Sequence, residues 1–184
     1  NTFNNFTWEL AGNVERKVLL WSTRVVNTPA DWSLTIRDTF RINNANIKCR
    51  PFILNVSGDI TITANSFVGV DYVDFRRVKL QGPITPFDGT RCGDVGGNEN
   101  IIFAPSKTVY WNQPAGGNWS DTVWASESGG APDANLFPLI HDKAIIDNVG
   151  TANGTVINLD RAWQLGDVEF TTNNSVTWAF ANVT

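Results

Sequence analysis

The 184-residue sequence has no methionine, two cysteines, one histidine and a charged fraction of only 17%. Without a methionine the chain does not carry its own initiator, so we expect a processed or excised segment of a longer polypeptide. Two cysteines, Cys49 and Cys92, are too few to stabilise a domain of this length by disulfide bonds. We expect free thiols, with one disulfide as the alternative. Their spacing fits no zinc-binding pattern and His141 has no cysteine nearby, so neither a metal nor a cofactor is predicted.

Other absences exclude whole classes of function. No apolar run approaches the roughly 20 residues of a membrane-spanning helix, so membrane insertion is not predicted. The net charge of −4 argues against a nucleic-acid partner, which needs clustered Lys and Arg. The sequence also lacks the Gly-x-Ser-x-Gly nucleophile elbow and any metal-binding pair of histidines.

Few residues are candidates for catalysis. His141 beside Asp142 offers a base with an orienting carboxylate, but neighbours on a strand point to opposite faces, so we expect the two to diverge. Asp71 with Asp74, or Asp142 with Asp147, offers the paired carboxylates of a glycosidase. Acidic residues on turns are usually only solvated, and we therefore predict that the chain is not an enzyme and that these groups share no site.

The sequence does contain the alternation that is typical of β-strands. Apolar and polar residues alternate from 32 to 42, with Asp38 as the one exception, and this pattern outweighs a helix starting just before it. A second alternation runs from 52 to 62, with Gly58-Asp59 as a bend. Further short strands are predicted at 2–8 and 18–21, separated by a turn at Gly12-Asn13, and at 101–103, 144–146, 155–159, 165–170 and 176–180.

One spacing of large apolar residues recurs at Phe3-x-x-Phe6-x-Trp8, Phe75-x-x-Val78-x-Leu80 and Leu165-x-x-Val168-x-Phe170. The last two positions share one face of a strand, and the first reaches that face only through a bend or bulge. A corner residue followed by an alternating strand is how a rung of a β-solenoid fills its interior. We therefore predict an all-β fold of β-solenoid-like short stacked strands, with a β-sandwich as the alternative.

Turn-forming residues predict a division of the chain. Gly, Pro and Asp cluster from 82 to 98 and interrupt the alternating pattern. We predict a β-rich module at 1–82, a Gly/Pro-rich boundary loop and strand at 83–105, and a second β module at 106–184 that is incomplete at its C-terminal end.

The second module is organised around the stretch 108–125, in which large aromatic residues surround one proline and two glycines. Such a loop would normally be mobile, but indoles that bury a large apolar area can pin it to the structure beneath. We expect buried Trp119 and Trp124, with Gly116-Gly117 letting the backbone pass close to an indole. An aromatic binding platform is the alternative. The predicted structural corner consists of Tyr110, Trp111, Gly116, Gly117, Trp119 and Trp124.

The same region carries short motifs in a fixed order, namely Arg91-Cys-Gly-Asp-Val-Gly-Gly-Asn98, Lys107-Thr-Val-Tyr-Trp111, Gly117-Asn-Trp-Ser120, Ser128-Gly-Gly130 and Asp142-Lys-Ala-Ile-Ile-Asp147. This series resembles a module of large, repeat-rich virion proteins of tailed, often marine, bacteriophages. The resemblance covers 91–147 and is looser at 72–82 and 155–180, whereas 9–50 carries none of the motifs. Asn-Gln-Pro-Ala at 112–115 replaces the glycine-rich link of that module.

The resemblance implies a virion structural protein of the tail fibre, the tail tip or the head decoration, made in the host cytoplasm. Its role would be architectural, or adhesive toward the host surface. Its partners would be other virion proteins, further copies of itself and a host surface glycan. The resemblance supplies no catalytic signature. A tailspike polysaccharide depolymerase and a cellular carbohydrate-binding module are the alternatives.

Overall fold

Short β-strands and the turns between them make up the described chain. The computed structural model describes residues 2–9, 19–21 (by their backbone), 31–43, 50–56, 58–161 and 163–180. Within these ranges there is no α-helix, and the one helical turn is a 3-10 turn at Ala134–Leu136. The predicted all-β class is therefore confirmed. The chain forms two compact units, Asn1–Ala104 and Pro105–Thr184.

The first unit is a succession of short strands, and none of those in its described ranges is longer than five residues. In chain order they are β1 (Thr2–Phe3), β2 (Phe6–Glu9), β3 (Leu19–Trp21), β4 (Trp32–Ile36), β5 (Thr39–Asn43), β6 (Phe52–Leu54), β7 (Ile60–Thr63), β8 (Ser66–Val68), β9 (Asp74–Arg76), β10 (Val78–Gln81), β11 (Phe87–Gly89), β12 (Gly93–Asp94) and β13 (Ile101–Phe103).

Pairing in the first unit is parallel throughout the described strands. Its three main sheets have the orders β1-β4-β7-β10, β2-β5-β8 and β3-β6-β9-β12, so each strand pairs with the strand three places further along the chain. A small fourth sheet pairs β11 with β13, also in parallel. We call three successive strands, one from each main sheet, a circuit. Parallel pairing in register places equivalent positions of successive circuits beside one another.

These equivalent positions form apolar rows in the core. Leu34 is in register with Ile62, which is in register with Leu80, and their exposed fractions are 5%, 0% and 1%. A row of phenylalanine rings follows the sheet β2-β5-β8 and continues to Phe87 on β11, which lies in the small fourth sheet. Successive ring centroids are 5.3, 6.0 and 5.8 Å apart along Phe6, Phe40, Phe67 and Phe87. Such distances are those of favourable aromatic pairs, so the row adds specific contacts to the burial of apolar area.

The long alternation at 32–42 is two strands and not one. β4 ends at Ile36 and β5 begins at Thr39, with the turn at Arg37-Asp38 between them. The Asp38 carbonyl accepts hydrogen bonds from the backbone N–H groups of Asn65 and Ser66, at 3.0 and 3.1 Å. The polar exception in the pattern is thus a corner, tied to the corner of the next circuit. The predicted bend at Gly58-Asp59 does lie between β6 and β7.

One ion pair is enclosed in the first unit. Arg50 Nη2 lies 2.5 Å from Asp74 Oδ1, and Arg50 Nε donates to Asp74 Oδ2 at 3.4 Å, with 4% of each side chain exposed. Buried charges must be paired to be tolerated, so the two side chains depend on each other. No pattern in the sequence indicated this pair.

Cys92 is a free thiol in the interior of the first unit. Its side chain is fully buried, and Sγ donates to the carbonyl oxygen of Val70 at 3.3 Å. Burial raises the pKa of the Cys92 thiol to about 12. Cys49 and the predicted turn at Gly12-Asn13 lie outside the described residues.

The second unit repeats the parallel arrangement with two sheets. Its strands are β14 (Thr108–Trp111), β15 (Gly117–Asn118), β16 (Trp124–Ala125), β17 (Lys143–Ile146), β18 (Thr155–Leu159), β19 (Asp167–Phe170) and β20 (Val176–Phe180). One sheet has the order β16-β14-β17-β19 and the other the order β15-β18-β20. Among these described strands, every pair is parallel except β14 with β16. The strands predicted at 155–159 and 176–180 coincide with β18 and β20.

The structure locates the recurring apolar spacing and the predicted boundary segment 83–105. In the recurring spacing, Phe3 and Phe6 lie on the successive strands β1 and β2, and Phe75 and Val78 lie on β9 and β10. The first residue of the pattern therefore precedes a corner, as expected, in these two instances. The predicted boundary segment at 83–105 contains β11, β12 and β13, which fall in the first unit. The three-part division itself stays a prediction.

Candidate functional site

The candidate site is the aromatic corner of the second unit. Trp111 ends β14, Trp124 begins β16, and the two are directly paired across that antiparallel ladder. Trp119 follows β15 and its backbone N–H donates to the carbonyl oxygen of Asn158 in β18 at 2.8 Å. The exposed fractions of Trp111, Trp119 and Trp124 are 0%, 2% and 1%. The prediction that Trp119 and Trp124 are buried is confirmed.

The three indoles contact one another through their edges. The ring centroids of Trp119 and Trp124 are 4.6 Å apart at 66°, and those of Trp111 and Trp124 are 5.5 Å apart at 83°. Two of the ring nitrogens have partners within the corner, because Trp124 Nε1 donates to the carbonyl of Trp119 at 3.1 Å and Trp111 Nε1 donates to that of Gln113 at 3.0 Å. A buried indole with a satisfied N–H is a stable core group, and its faces are closed to ligands.

Tyr110 has a different place from the tryptophans. It follows the buried Val109 on β14 and therefore points to the opposite face, where it is half-buried beside Ala125 and Ile145 in register. Of the six residues predicted to form the corner, Trp111, Trp119 and Trp124 therefore form its buried aromatic centre.

Glycine permits close backbone contact at the corner, but not where we expected. Gly116 has φ +83°, and a Cβ there would lie 2.5 Å from the carbonyl oxygen of Val156, so it approaches the backbone of β18 and not an indole. Gly117 would place a Cβ 4.0 Å from the Trp111 ring, which is ordinary contact. The tightest approach is at Gly150, which no sequence motif indicated. A Cβ on Gly150 would lie 1.6 Å from the carbonyl oxygen of Trp111.

Hydrogen bonds close the turns that surround the corner. Asn112 donates from its backbone N–H to the Val123 carbonyl at 2.8 Å and from Nδ2 to the Gly130 carbonyl at 2.7 Å. Asp121 Oδ2 accepts from the backbone N–H of Asn118 at 2.8 Å. The Asn and Asp residues of this region therefore satisfy their own backbone, which is their commonest use in turns.

Asp142 is the main polar anchor of the second unit. Its side chain is fully buried, Oδ1 accepts from the backbone N–H of Lys107 at 2.9 Å, and Oδ2 accepts from that of Leu139 at 2.7 Å. The Lys107 ammonium also contacts Oδ2. One carboxylate thus joins the segment before β14 to the segment before β17, and its charge is compensated within the fold.

No family model, no curated protein and no solved structure matches this chain.

The other acidic candidates have separate structural partners. Asp71 forms an ion pair with Arg91, Asp74 is paired with Arg50 as described above, and Asp147 Oδ1 accepts from the backbone N–H of Gly150 at 2.8 Å. In the two carboxylate pairs predicted from the sequence, every member is therefore bonded to a structural partner.

His141 and Asp142 do not diverge as expected. Both lie in the turn before β17, and Nε2 of the histidine is 3.9 Å from Oδ1 of the aspartate. The rule that neighbours point apart fails because neither residue lies in a strand.

The described ranges contain neither a metal-binding cluster nor a membrane-spanning helix. Among those residues, no three His, Cys, Asp or Glu side chains are arranged so that they could hold a metal ion. No helix within the same ranges is long and apolar enough to cross a membrane.

Proposed function

We propose that this chain is a β-solenoid-like segment of a bacteriophage virion structural protein, belonging to a tail fibre, a tail tip or a head decoration. Its role is architectural, or adhesive toward the host surface. Its partners are other virion proteins, further copies of the chain and a host surface glycan. The virion assignment depends on the motif series at 91–147, whose residues resemble those of such proteins.

The observation that supports the solenoid is the pairing of each strand with the equivalent strand of the next circuit. In a β-sandwich the sheets are antiparallel and neighbours along the chain commonly form hairpins. Here the three main sheets of the first unit are parallel and step by three strands. Stacked circuits also account for the in-register rows, such as Leu34, Ile62 and Leu80, because each row runs along a solenoid interior.

The structural duties of the motif residues support an architectural role. The Trp side chains of the corner are core groups, and Asp142 joins two segments. Asp94 in the glycine-rich loop accepts from the Gly96 N–H at 2.8 Å and from Asn98 Nδ2 at 2.6 Å. Residues with such fixed internal partners are suited to holding a shape that other proteins contact.

A map of the virion tests the assignment most directly. Purified phage particles that encode this chain should contain it in stoichiometric amounts by mass spectrometry. A density map of the particle should locate it on the tail or on the outer capsid surface. Absence of the chain from intact particles would overturn the virion assignment. Polysaccharide cleavage by the isolated chain that is lost in an Asp71→Asn or Asp147→Asn variant would favour the depolymerase instead.

Hydrogen exchange tests the stacked circuits. In a solenoid each repeat is stabilised by its two neighbours, so amides of a central circuit should exchange more slowly than those of the terminal ones. We expect β7 and β8 to be more protected than β1 and β13. Uniform protection across all circuits of the first unit would contradict the proposal.

A further inference from the structure

The turn before β18 contains the one Asn-Gly pair of the sequence, Asn153-Gly154, and every other asparagine is followed by a residue with a side chain. Both residues of the pair are exposed. The backbone N–H of Thr155 donates to the carbonyl oxygen of Ala152 at 3.1 Å, which closes the turn around them. Gly154 has φ +86°, and a Cβ there would have no atom of the described residues within 4 Å. The pair is therefore held in an open turn that water reaches freely.

An asparagine followed by glycine can react with its own backbone, because the glycine has no Cβ to hinder the approach. The nitrogen of Gly154 loses its proton to hydroxide and bonds to Cγ of Asn153. The bond from Cγ to the side-chain nitrogen breaks, and that nitrogen takes up a proton from water and leaves as ammonia. One water molecule then opens the succinimide ring at either carbonyl, which gives aspartate or isoaspartate. The reaction needs only water and hydroxide.

Ser175, the residue before β20, holds both groups that would react. Its carbonyl oxygen accepts from the backbone N–H of Gly154 at 2.8 Å. Its own backbone N–H donates to Oδ1 of Asn153 at 3.0 Å. The attacking nitrogen therefore keeps its proton in a hydrogen bond for as long as β20 is paired with β18. Each such bond has a small net free energy, so the contact opens repeatedly without unfolding of the whole unit.

We propose that Asn153 is a site of spontaneous deamidation, and that its rate is set by how often β20 separates from β18. The products are aspartate and isoaspartate at position 153. This inference uses the pairing of β18 with β20, and it does not depend on the virion assignment.

Isoaspartate would alter the turn, because it lengthens the backbone by a methylene group between two anchored residues. Thr151 Oγ1 donates to the carbonyl oxygen of Asp147 at 2.6 Å, and Thr155 Oγ1 donates to that of Pro114 at 2.7 Å. The added length must be taken up between these anchors, so we expect Ser175 not to regain both of its bonds. Deamidation would then weaken the pairing of β20 irreversibly.

Peptide mapping by mass spectrometry provides the test. The full chain is incubated at mildly alkaline pH, in buffer and in guanidinium chloride that unfolds it, and samples are digested at intervals. Labelling by protein isoaspartyl methyltransferase gives a second readout of isoaspartate. We expect both products at residue 153 in the native chain, formed about tenfold more slowly than in the unfolded chain because the bonds to Ser175 must open first.

Three variants assign the reaction and its control. Gly154→Ala should suppress deamidation in both the native and the unfolded chain, since its Cβ hinders ring closure. Trp178→Ala should bring the native rate close to the unfolded one, because Trp178 on β20 stacks on Trp119 with ring centroids 5.7 Å apart. Trp163→Ala is the matched control. Trp163 contacts Phe137 instead, so the native rate should not change.

Hydrogen exchange of the Gly154 amide keeps the test decisive if Trp178→Ala unfolds the unit. Exchange and deamidation both require this N–H to leave Ser175, so in the unsubstituted chain both rates should rise together as guanidinium chloride is added. Four results would overturn the inference. They are no product at residue 153 in the native chain once the unfolded chain has reacted fully, equal rates in the two states, equal acceleration by Trp178→Ala and Trp163→Ala, and deamidation that does not follow exchange. None of them bears on whether the chain is found in virions.

Discussion

Truncation of Trp119 measures how far the second unit depends on its aromatic corner. The side chain is 2% exposed, and its ring contacts both Trp124 and Trp178. Burying an indole removes up to about 250 Å² from water, which corresponds to an upper limit of about 6 kcal/mol. Trp→Ala changes in cores usually cost about 3–5 kcal/mol. We expect Trp119→Ala to lower the free energy of unfolding by about 4 kcal/mol.

The measurement must isolate the second unit, because the first unit contains tryptophans as well. Urea unfolding followed by hydrogen exchange of β18 amides reports on the correct unit. In a unit of this size, a loss of about 4 kcal/mol corresponds to a fall in melting temperature of roughly 15–30 °C. The same measurement on a tryptophan outside the cluster provides a matched control.

Trp163→Ala is that control. Trp163 is half-buried, contacts Phe137 at 5.2 Å and donates from Nε1 to Asp160 at 3.1 Å. Because less of its surface is buried, we expect a loss of less than about 2 kcal/mol. A Trp119→Ala change of less than about 1 kcal/mol, or one no larger than that of the control, would refute the corner as a source of stability and restore the binding platform.

Three further predictions address close packing and pH. Gly150→Ala should destabilise the second unit by several kcal/mol because its Cβ would lie 1.6 Å from a backbone oxygen, whereas Gly154→Ala, with φ +86° but open space around it, should cost only about 1 kcal/mol; equal losses in thermal melts would contradict this reasoning. In a Cys49→Ser background the thiolate absorbance of native Cys92 should titrate with a pKa of about 12, raised by burial from 9.0. Because this pKa is raised on folding, its contribution to stability is present below pH 9 and is lost as the pH rises toward 12, so a native titration near 9 would show that the thiol is not buried. A hydrogen bond from Lys79 lowers the pKa of Asp59 below 3.8, so stability from this group is present above that pH and is lost as the pH falls through the lowered value. The acid branch of urea midpoints should therefore flatten in Asp59→Asn, and an unchanged branch would exclude this ion pair as a cause.

Sequence periodicity predicted most strands but not the circuits they form. Alternation is local, so β18 and β20 could be read directly from 155–159 and 176–180. The circuits have no fixed period, since Thr2 pairs with Thr35, Trp32 with Ile60, and Ile60 with Val78. A repeat whose length changes at each turn leaves only a loose echo in the sequence.

The sequence did not reveal the roles of residues that contact backbone atoms far away along the chain. Gly150 resembles any turn glycine until β14 is placed beside it. Asp142 looked like a possible catalytic acid because its two backbone donors, at Lys107 and Leu139, are not visible as a motif. The burial of Trp119 and Trp124 was predictable because large aromatic groups in a turn-rich segment have few other ways to be stable.

The connections between the second and third strands of two successive circuits in the first unit differ in length. One runs from Asn43 to Phe52 and the next from Val68 to Asp74, while the strands that they join remain parallel to their neighbours in each sheet. Lengthening a surface connection costs little free energy, because loop-closure entropy rises only slowly with length. We therefore expect insertions and deletions in these connections to leave the interior rows unchanged. The lengths of these connections can therefore change under constraints that are separate from those on the core.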